Sequence, residues 1–194
     1  DRVELARFDD YFDGPARNAG LILKVIPDDV MRGLELRKGT TDIVVNDLTP
    51  DIAYQLERQP RLQTFEAPGV DYQYIGLNVR DPLLSDVRVR QALAYAIDAK
   101  AIIDFLRRGM AVPAAGLLPS LSWAFASDAF RFPHDPARAR SLLDAAGYPD
   151  PDGAGPMPRM RLTLKISNTQ EYNRLQASVI QQNLREVGID LDVR

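Results

Sequence analysis

The sequence predicts a mixed fold of the α/β or α+β class. Segments with the alternating or β-branched pattern of strands are repeatedly followed by segments whose apolar residues recur at helical spacing, and this alternation is typical of both classes. The chain has 194 residues, 45% of them hydrophobic and 26% charged, which is the composition of a globular protein with a packed core. The length fits one domain or two smaller ones.

Five strands and two helices are expected in the first 80 residues. The stretch DDVMRGLELRKG combines helical periodicity with acidic residues at its start and Gly39 at its end, which are ordinary helix boundaries. Thr49 followed by Pro50 marks the start of the second helix, because threonine caps a helix and proline suits its first position. The expected strands are 2–8, 21–26, 41–45, 61–67 and 71–79.

Residues 86–134 are expected to form two successive helices and an ordered loop. Apolar residues recur at helical spacing from Asp86, break near Asp98 and resume until Gly109, so Asp98 is placed to cap the second helix. Residues 110–134 have neither pattern, and a loop of this length in a compact domain needs contacts that order it. We expect its aromatic side chains to supply them, namely Trp123, Phe125, Phe130 and Phe132.

The last 60 residues contain the clearest helix boundaries. In HDPARARSLLDAAGY, Asp135 is a typical N-cap, Pro136 suits the first helical position and Gly147 follows the last turn. A strand at 160–166, a helix ending at Gly188 and a strand at 189–194 follow. The edge of the last strand is expected to permit self-association of the chain.

Composition argues against several classes of function. The net charge is −3 and the basic residues are scattered, so the charged surface of a nucleic-acid-binding protein is missing. No apolar run approaches the roughly 20 residues that cross a bilayer. Cysteine is absent, which excludes disulfides and thiolate metal sites and fits an oxidising compartment. A catalytic triad or a histidine-rich zinc site would depend on His134, the only histidine.

Several linked motifs resemble those of one protein family. They are LILKVIPDDVMRGLELRKGTTDIVVNDL at 21–48, DVRVRQALAYAIDAKAII at 86–103, HDPARARSLLDAAGY at 134–148 and VIQQNLREVGI at 179–189. Their order and spacing are similar to those of the family 5 extracellular solute-binding proteins, the peptide, dipeptide and nickel receptors of ABC importers. Asn78, Pro82 and the stretch 109–113 also match, so the resemblance covers nearly the whole chain.

The resemblance implies a periplasmic-binding-protein-like α/β fold with two lobes (type II, cluster C), of which this chain is a fragment. Residues 1–79 would belong to the first lobe and residues 80–194 to the first half of the second. The stretch 74–103 would pass from one lobe into the other. This role explains why its residues specify secondary structure and include no candidate catalytic residue. The downstream acidic residue that pairs with the ligand's α-amino group in peptide-binding members is expected to lie outside this fragment.

The resemblance also implies a function. The parent protein would be the substrate-binding component of an ABC importer that captures a peptide-like or other small ligand and delivers it to a membrane permease. It would be periplasmic or extracellular, and the parent protein could carry a lipid anchor. It would be neither an enzyme nor dependent on a cofactor. The alternative is the ligand-sensing domain of a cytoplasmic transcription regulator with the same fold.

The candidate ligand-binding segment lies between the strand at 160–166 and the following helix. Open α/β sheets bind ligands at the carboxyl ends of their strands, and helix N-termini attract anions. Asn168 or Thr169 could instead only cap the helix, and Trp123 could be a packing residue rather than part of a ligand-facing wall. The segment does not clearly contain the arginine found in some dipeptide-binding relatives, so the ligand class stays open. The candidate residues are Ser167, Asn168, Thr169, Gln170, Tyr172, Asn173 and Trp123.

Other polar residues favour structural roles over catalysis or metal binding. His134 directly precedes the helix-capping Asp135. Asp150 and Asp152 lie in a turn that lacks the later ligands of a calcium-binding loop. The carboxylates within 9–13 lie beside aromatic residues in a segment that is also aromatic in the family. We therefore expect no catalytic residue and no metal site.

Overall fold

The computed structural model describes residues 1–46, 48–153, 155–167 and 171–194, and only the backbone of residue 171. The chain divides into two compact units, Asp1–Thr64 and Phe65–Arg194. The elements are, in chain order, β1 (Arg2–Ala6), β2 (Gly20–Lys24), α1 (Asp29–Lys38), α2 (Pro50–Glu57), α3 (Val87–Ala96), α4 (Ala99–Ala101), a π-helical segment (Ile102–Leu106), α5 (Pro136–Ala145), β3 (Met160–Leu164), α6 (Glu171–Glu186) and β4 (Ile189–Val193).

The first unit contains a β-hairpin. β1 and β2 are antiparallel, with Arg2 opposite Lys24 and Ala6 opposite Gly20. The two strands predicted here are confirmed, each ending two residues earlier than expected. The long connection between them contains Gly14, whose φ of 87° is a left-handed conformation that glycine adopts without steric cost.

Two helices complete the first unit. The predicted ends of α1 and the predicted start of α2 at Pro50 are confirmed, but the Thr49 side chain makes no capping hydrogen bond. The Asp28 carboxylate accepts a hydrogen bond from the Met31 N–H at 2.8 Å, which caps α1, and Gly39 ends it with a φ of 79°. The helices approach each other at Gly33, where a Cβ atom would lie 2.6 Å from Cγ2 of Ile52. Only glycine therefore allows this close packing.

The second unit is built around the packing of α3 against α5. Ala92 and Ala96 of α3 and Ala139 of α5 are all completely buried, and such small residues let two helices come close together. Asp135 caps α5 by accepting a hydrogen bond from the Arg138 N–H at 2.9 Å. The buried core of the unit consists of Val89, Ala92, Leu93, Ala96, Ile102, Ala139, Leu143, Met160, Ile180, Leu184, Val187, Ile189 and Leu191.

A βαβ unit completes the second unit. β3 and β4 are parallel, with Met160 opposite Ile189 and Leu164 opposite Val193, and α6 provides the crossover that parallel strands need. The order strand, helix, strand predicted for this region is confirmed. The arrangement places the start of α6 soon after the carboxyl end of β3, where the candidate segment lies.

Three predicted strands are wrong. The stretches 41–45, 61–67 and 71–79 contain no strand in the residues that the structure describes. Their β-branched and aromatic composition is typical of strands, but a strand exists only where a neighbour pairs with its backbone groups. Composition gives no information about that neighbour.

The loop at 110–134 agrees only partly with the expectation. Phe132 packs edge-to-face against Tyr95 of α3 with ring centroids 5.1 Å apart, and Phe130 contacts Phe132 at 5.0 Å. Trp123, in contrast, is 98% exposed, so it does not hold the loop in place. The assignment of 1–79 and 80–194 to two lobes and the self-association through the last strand stay predictions.

Asp86 contributes to stability in a pH-dependent way. Its carboxylate pairs with the Arg88 guanidinium at 2.6 Å and accepts a hydrogen bond from the Arg88 N–H at 2.8 Å. These hydrogen bonds, the side-chain one first, lower the pKa of Asp86 below its ordinary value of 3.8. Since the folded pKa lies below the unfolded one, the stabilisation is complete above the unfolded pKa and disappears as the pH falls through the folded pKa.

We expect Asp86→Asn to lower the melting temperature at about pH 7, and the difference from the wild type to shrink as the pH falls below the ordinary pKa of 3.8. Asparagine is also a good N-cap, so the substitution removes the charge and keeps the cap. Thermal melts followed by circular dichroism across this pH range measure the difference. A difference that stays constant down to the lowest pH would contradict the prediction.

Candidate functional site

The segment after β3 continues the strand pairing and then leaves it. The Ile166 N–H donates to the Arg194 carbonyl at 2.9 Å, so the backbone stays paired beyond the end of β3. Ser167 follows and is exposed. Asn168, Thr169 and Gln170, three of the predicted ligand-binding residues, lie outside the described residues. The description resumes at residue 171, the first of α6.

The remaining predicted residues lie in different environments. Tyr172 and Asn173 are half-buried in the first turn of α6, close in sequence to Ser167. Trp123 is almost fully exposed on the loop at 110–134, so it is part of no packed wall among the described residues. The roles of all these residues in binding stay predictions.

Arg107 is a neighbour of this segment that the sequence analysis missed. Its guanidinium carbon lies over the Tyr172 ring, 4.2 Å from the ring centroid, in the geometry of a cation–π interaction. Arg107 follows the last residue of the π-helical segment. The structure thus brings a cation from another part of the chain to the start of α6.

The segment 99–106 runs antiparallel along α6. At its start, the Asp98 N–H donates to the Asn183 side-chain oxygen at 3.1 Å, while the Asp98 carboxylate caps α4 by accepting from the Ala101 N–H at 2.9 Å. At its far end, Arg107 contacts Tyr172. Contacts at both ends therefore hold the segment against α6 and fix the position of Arg107.

The π-helical turn affects the direction of the Arg107 side chain. The Arg107 N–H donates to the Ile102 carbonyl at 3.1 Å, five residues back rather than the usual four, so the turn is wider than in an α-helix. The wider turn changes the direction of the side chain that follows it. Helical periodicity in the sequence predicts a regular helix here, which is why this contact was missed.

Tyr172 and Arg107 together form a site that offers hydrogen-bond donors and positive charge. The Tyr172 hydroxyl is buried, and the Arg107 side chain is its polar neighbour. Burial raises the pKa of Tyr172 above its ordinary value of 10.0, while the positive charge of Arg107 and a hydrogen bond from its side chain oppose the shift, so the phenol is neutral at physiological pH. Arg107 is half-buried and makes no ion pair within the part of the chain that the structure describes. The geometry suits an anion or another acceptor.

The other candidate polar residues have structural partners. His134 Nδ1 lies 3.4 Å from Oδ2 of Asp98, beside the start of α4. Asp150 lies 3.6 Å from Arg159 Nη2, and Asp152 accepts a hydrogen bond from the Met157 N–H at 3.0 Å. The described side chains include no group of three or more histidine, cysteine, aspartate or glutamate residues arranged to hold a metal ion.

The family model described as "Bacterial extracellular solute-binding proteins, family 5 Middle" matches residues 1–194. The chain belongs to this family. The resemblance inferred from the motifs is therefore confirmed. Within the described residues, no helix of this family 5 chain is both long and apolar enough to cross a membrane.

Two characterised relatives show how much of a family 5 protein the chain represents. It is 32% identical over 148 residues to the heme-binding protein A of Haemophilus influenzae and 32% identical over 146 residues to the dipeptide-binding protein of Escherichia coli. These matches cover 76% and 75% of this chain. They span 27% of the length of each relative.

A solved structure confirms the fold of the family 5 chain. The periplasmic binding protein DppA of Helicobacter pylori, in complex with the peptide STSA, matches with a TM-score of 0.81 and 24% sequence identity. The match covers 100% of this chain and 36% of that protein. The predicted periplasmic-binding-protein-like α/β fold is therefore correct, and the chain corresponds to part of it.

Proposed function

We propose that the intact protein is the substrate-binding component of an ABC importer that captures short peptides between two lobes and delivers them to a membrane permease. The observation that carries this proposal is the match of the family model over residues 1–194. The name of the E. coli relative and the peptide bound to the H. pylori protein favour a peptide ligand. The protein would act in the periplasm or outside the cell.

The site geometry supports binding rather than catalysis. Arg107 and Tyr172 present donors, and no general base is found beside them among the described residues, whereas nucleophilic catalysis needs a nucleophile and a base within hydrogen-bond reach. Binding proteins of this kind need rigid lobes and a few residues that absorb closure. None of the comparisons reported above supports the alternative of a transcription regulator.

A ligand-induced thermal shift on the intact protein tests the proposal. The panel contains di- and tripeptides, sugars, nickel with chelators, and heme. A ligand present at a hundredfold excess over its Kd adds about 2.7 kcal/mol to the free energy of unfolding, which is a readily measured rise in Tm. We expect peptides to raise the Tm and sugars to leave it unchanged. A panel in which no peptide shifts the Tm, or only heme does, would contradict the proposal.

A further inference from the structure

We infer that one face of the β1–β2 hairpin is an interaction surface within the intact protein, covered by an apolar element of the chain that lies outside these 194 residues. We call this surface the apolar hairpin face. The inference concerns the assembly of the protein and does not depend on which ligand it binds. The apolar hairpin face consists of Val3, Leu5, Leu21 and Leu23.

The register of the hairpin separates an apolar face from a polar one. Val3 lies opposite Leu23 on the neighbouring strand. Leu5 lies opposite Leu21. These side chains share one face, because successive residues of a strand point to opposite sides of the sheet. The other face carries the charged side chains of Arg2, Glu4 and Lys24.

The polar face has partners within the first unit. Arg2 pairs with Glu4 at 2.6 Å. The Lys24 ammonium donates to the Thr40 carbonyl and lies 3.9 Å from the carboxylate of Glu35 on α1. These contacts leave the apolar hairpin face on the opposite side of the two strands.

The apolar hairpin face is exposed although its side chains are aliphatic. Each of the four is between 47% and 52% exposed, and a contiguous exposed apolar surface typically marks an interaction site. Within the described residues 1–46 and 48–64, Leu56 is the only large hydrophobic side chain that is buried, which is a small core for a unit of this size. An isolated two-stranded hairpin is also marginally stable at best in water. A further element is therefore needed to stabilise the hairpin.

The remaining part of the intact protein is the occupant that the observations favour. The E. coli relative is much longer than this chain, which covers 27% of it, so a family member has further segments that can pack on this face. A stable interface between two molecules takes roughly 20–30 residues from each, whereas the apolar hairpin face offers four side chains. A segment of the same chain avoids the cost of bringing two molecules together, so a small face is sufficient. The four aliphatic side chains favour an apolar segment.

Cysteine labelling of the intact protein tests the inference. The 194 residues contain no cysteine, so Leu23→Cys and Ile22→Cys each introduce one thiol into this region. Ile22 is the matched control, because it is 56% exposed against 49% for Leu23 but lies on the polar face. Each rate of maleimide labelling, followed by mass spectrometry, is divided by the rate in concentrated urea. We expect this ratio to be at least about tenfold lower for Leu23→Cys, because a covered thiol reacts only when the structure opens locally.

Three outcomes would overturn the inference. Equal protection of the two thiols, whether high or low, would show that the two faces do not differ. Stronger protection of Ile22→Cys would assign the covering to the wrong face. Protection of Leu23→Cys that disappears on dilution of the protein would show that a second copy covers the face, because such a contact weakens with concentration. If Leu23→Cys fails to fold in a thermal melt, Leu5→Cys on the same face replaces it. The proposed function is judged separately, because no ligand takes part.

Discussion

Arg159→Met is expected to reduce the free energy of unfolding by about 2–4 kcal/mol. The Arg159 side chain is 4% exposed, pairs with Asp144, lies 3.6 Å from Asp150 and donates to the Tyr148 carbonyl at 3.0 Å. Methionine fills much of the same volume but leaves these acceptors without their cation. Because the two carboxylates remain partly accessible to water, the loss should fall somewhat below that of a fully buried ion pair.

The Arg159 side chain also packs against the turn that precedes β4. The Arg159 backbone N–H, which Arg159→Met keeps, donates to the Gly188 carbonyl at 2.7 Å, and a Cβ atom at Gly188 would lie 2.9 Å from the Arg159 side chain. Gly188 also has a φ of 84°, which glycine adopts readily. Arg159→Met therefore changes the side-chain packing at this turn, whereas the backbone hydrogen bond between the two segments stays.

Arg161→Met is the control for this prediction. Arg161 lies on β3, but its side chain is 78% exposed and pairs with Asp190 at 3.4 Å. An exposed pair of this kind contributes at most about 1 kcal/mol. Urea unfolding followed by circular dichroism measures both variants. Equal losses from the two substitutions would show that burial of Arg159 does not determine its contribution.

Leu143→Ala is expected to cost about 3–5 kcal/mol, the usual range for a leucine removed from a packed core. Leu143 lies on α5, is completely buried and belongs to the core cluster that joins α5 to α3 and α6. Alanine removes the apolar contacts and leaves a cavity that the surrounding helices can only partly close.

Leu175→Ala provides the comparison, because Leu175 lies on α6 and is 49% exposed. This substitution should cost less than about 1 kcal/mol. The midpoint of urea unfolding is measured for both variants. A loss for Leu143→Ala that does not exceed that for Leu175→Ala would contradict the assignment of the core.

The helix ends were predictable because their causes are local. Asp28, Asp98 and Asp135 each accept a hydrogen bond from an N–H three residues further along the chain. Gly39 ends α1 through its own left-handed backbone. Residue type and spacing specify these features without knowledge of the remaining fold, so the predicted positions agree with the structure.

The errors concern features that depend on distant neighbours. The stretch 41–45 has the composition of a strand, but its pairing depends on a partner that the local sequence does not specify. Trp123 is aromatic, as packing residues often are, yet it is 98% exposed. Residue type alone did not predict either outcome.

The sequence by itself determined the family and the order of helices and strands around the βαβ unit. It also indicated the segment 167–173 as a candidate binding segment. Only the tertiary structure brought Arg107 to Tyr172. That contact depends on a π-helical turn and on the antiparallel packing of the segment 99–106 against α6. The width of a helical turn and the alignment of two helices are set by packing over the whole unit, whereas sequence periodicity reports only the local backbone.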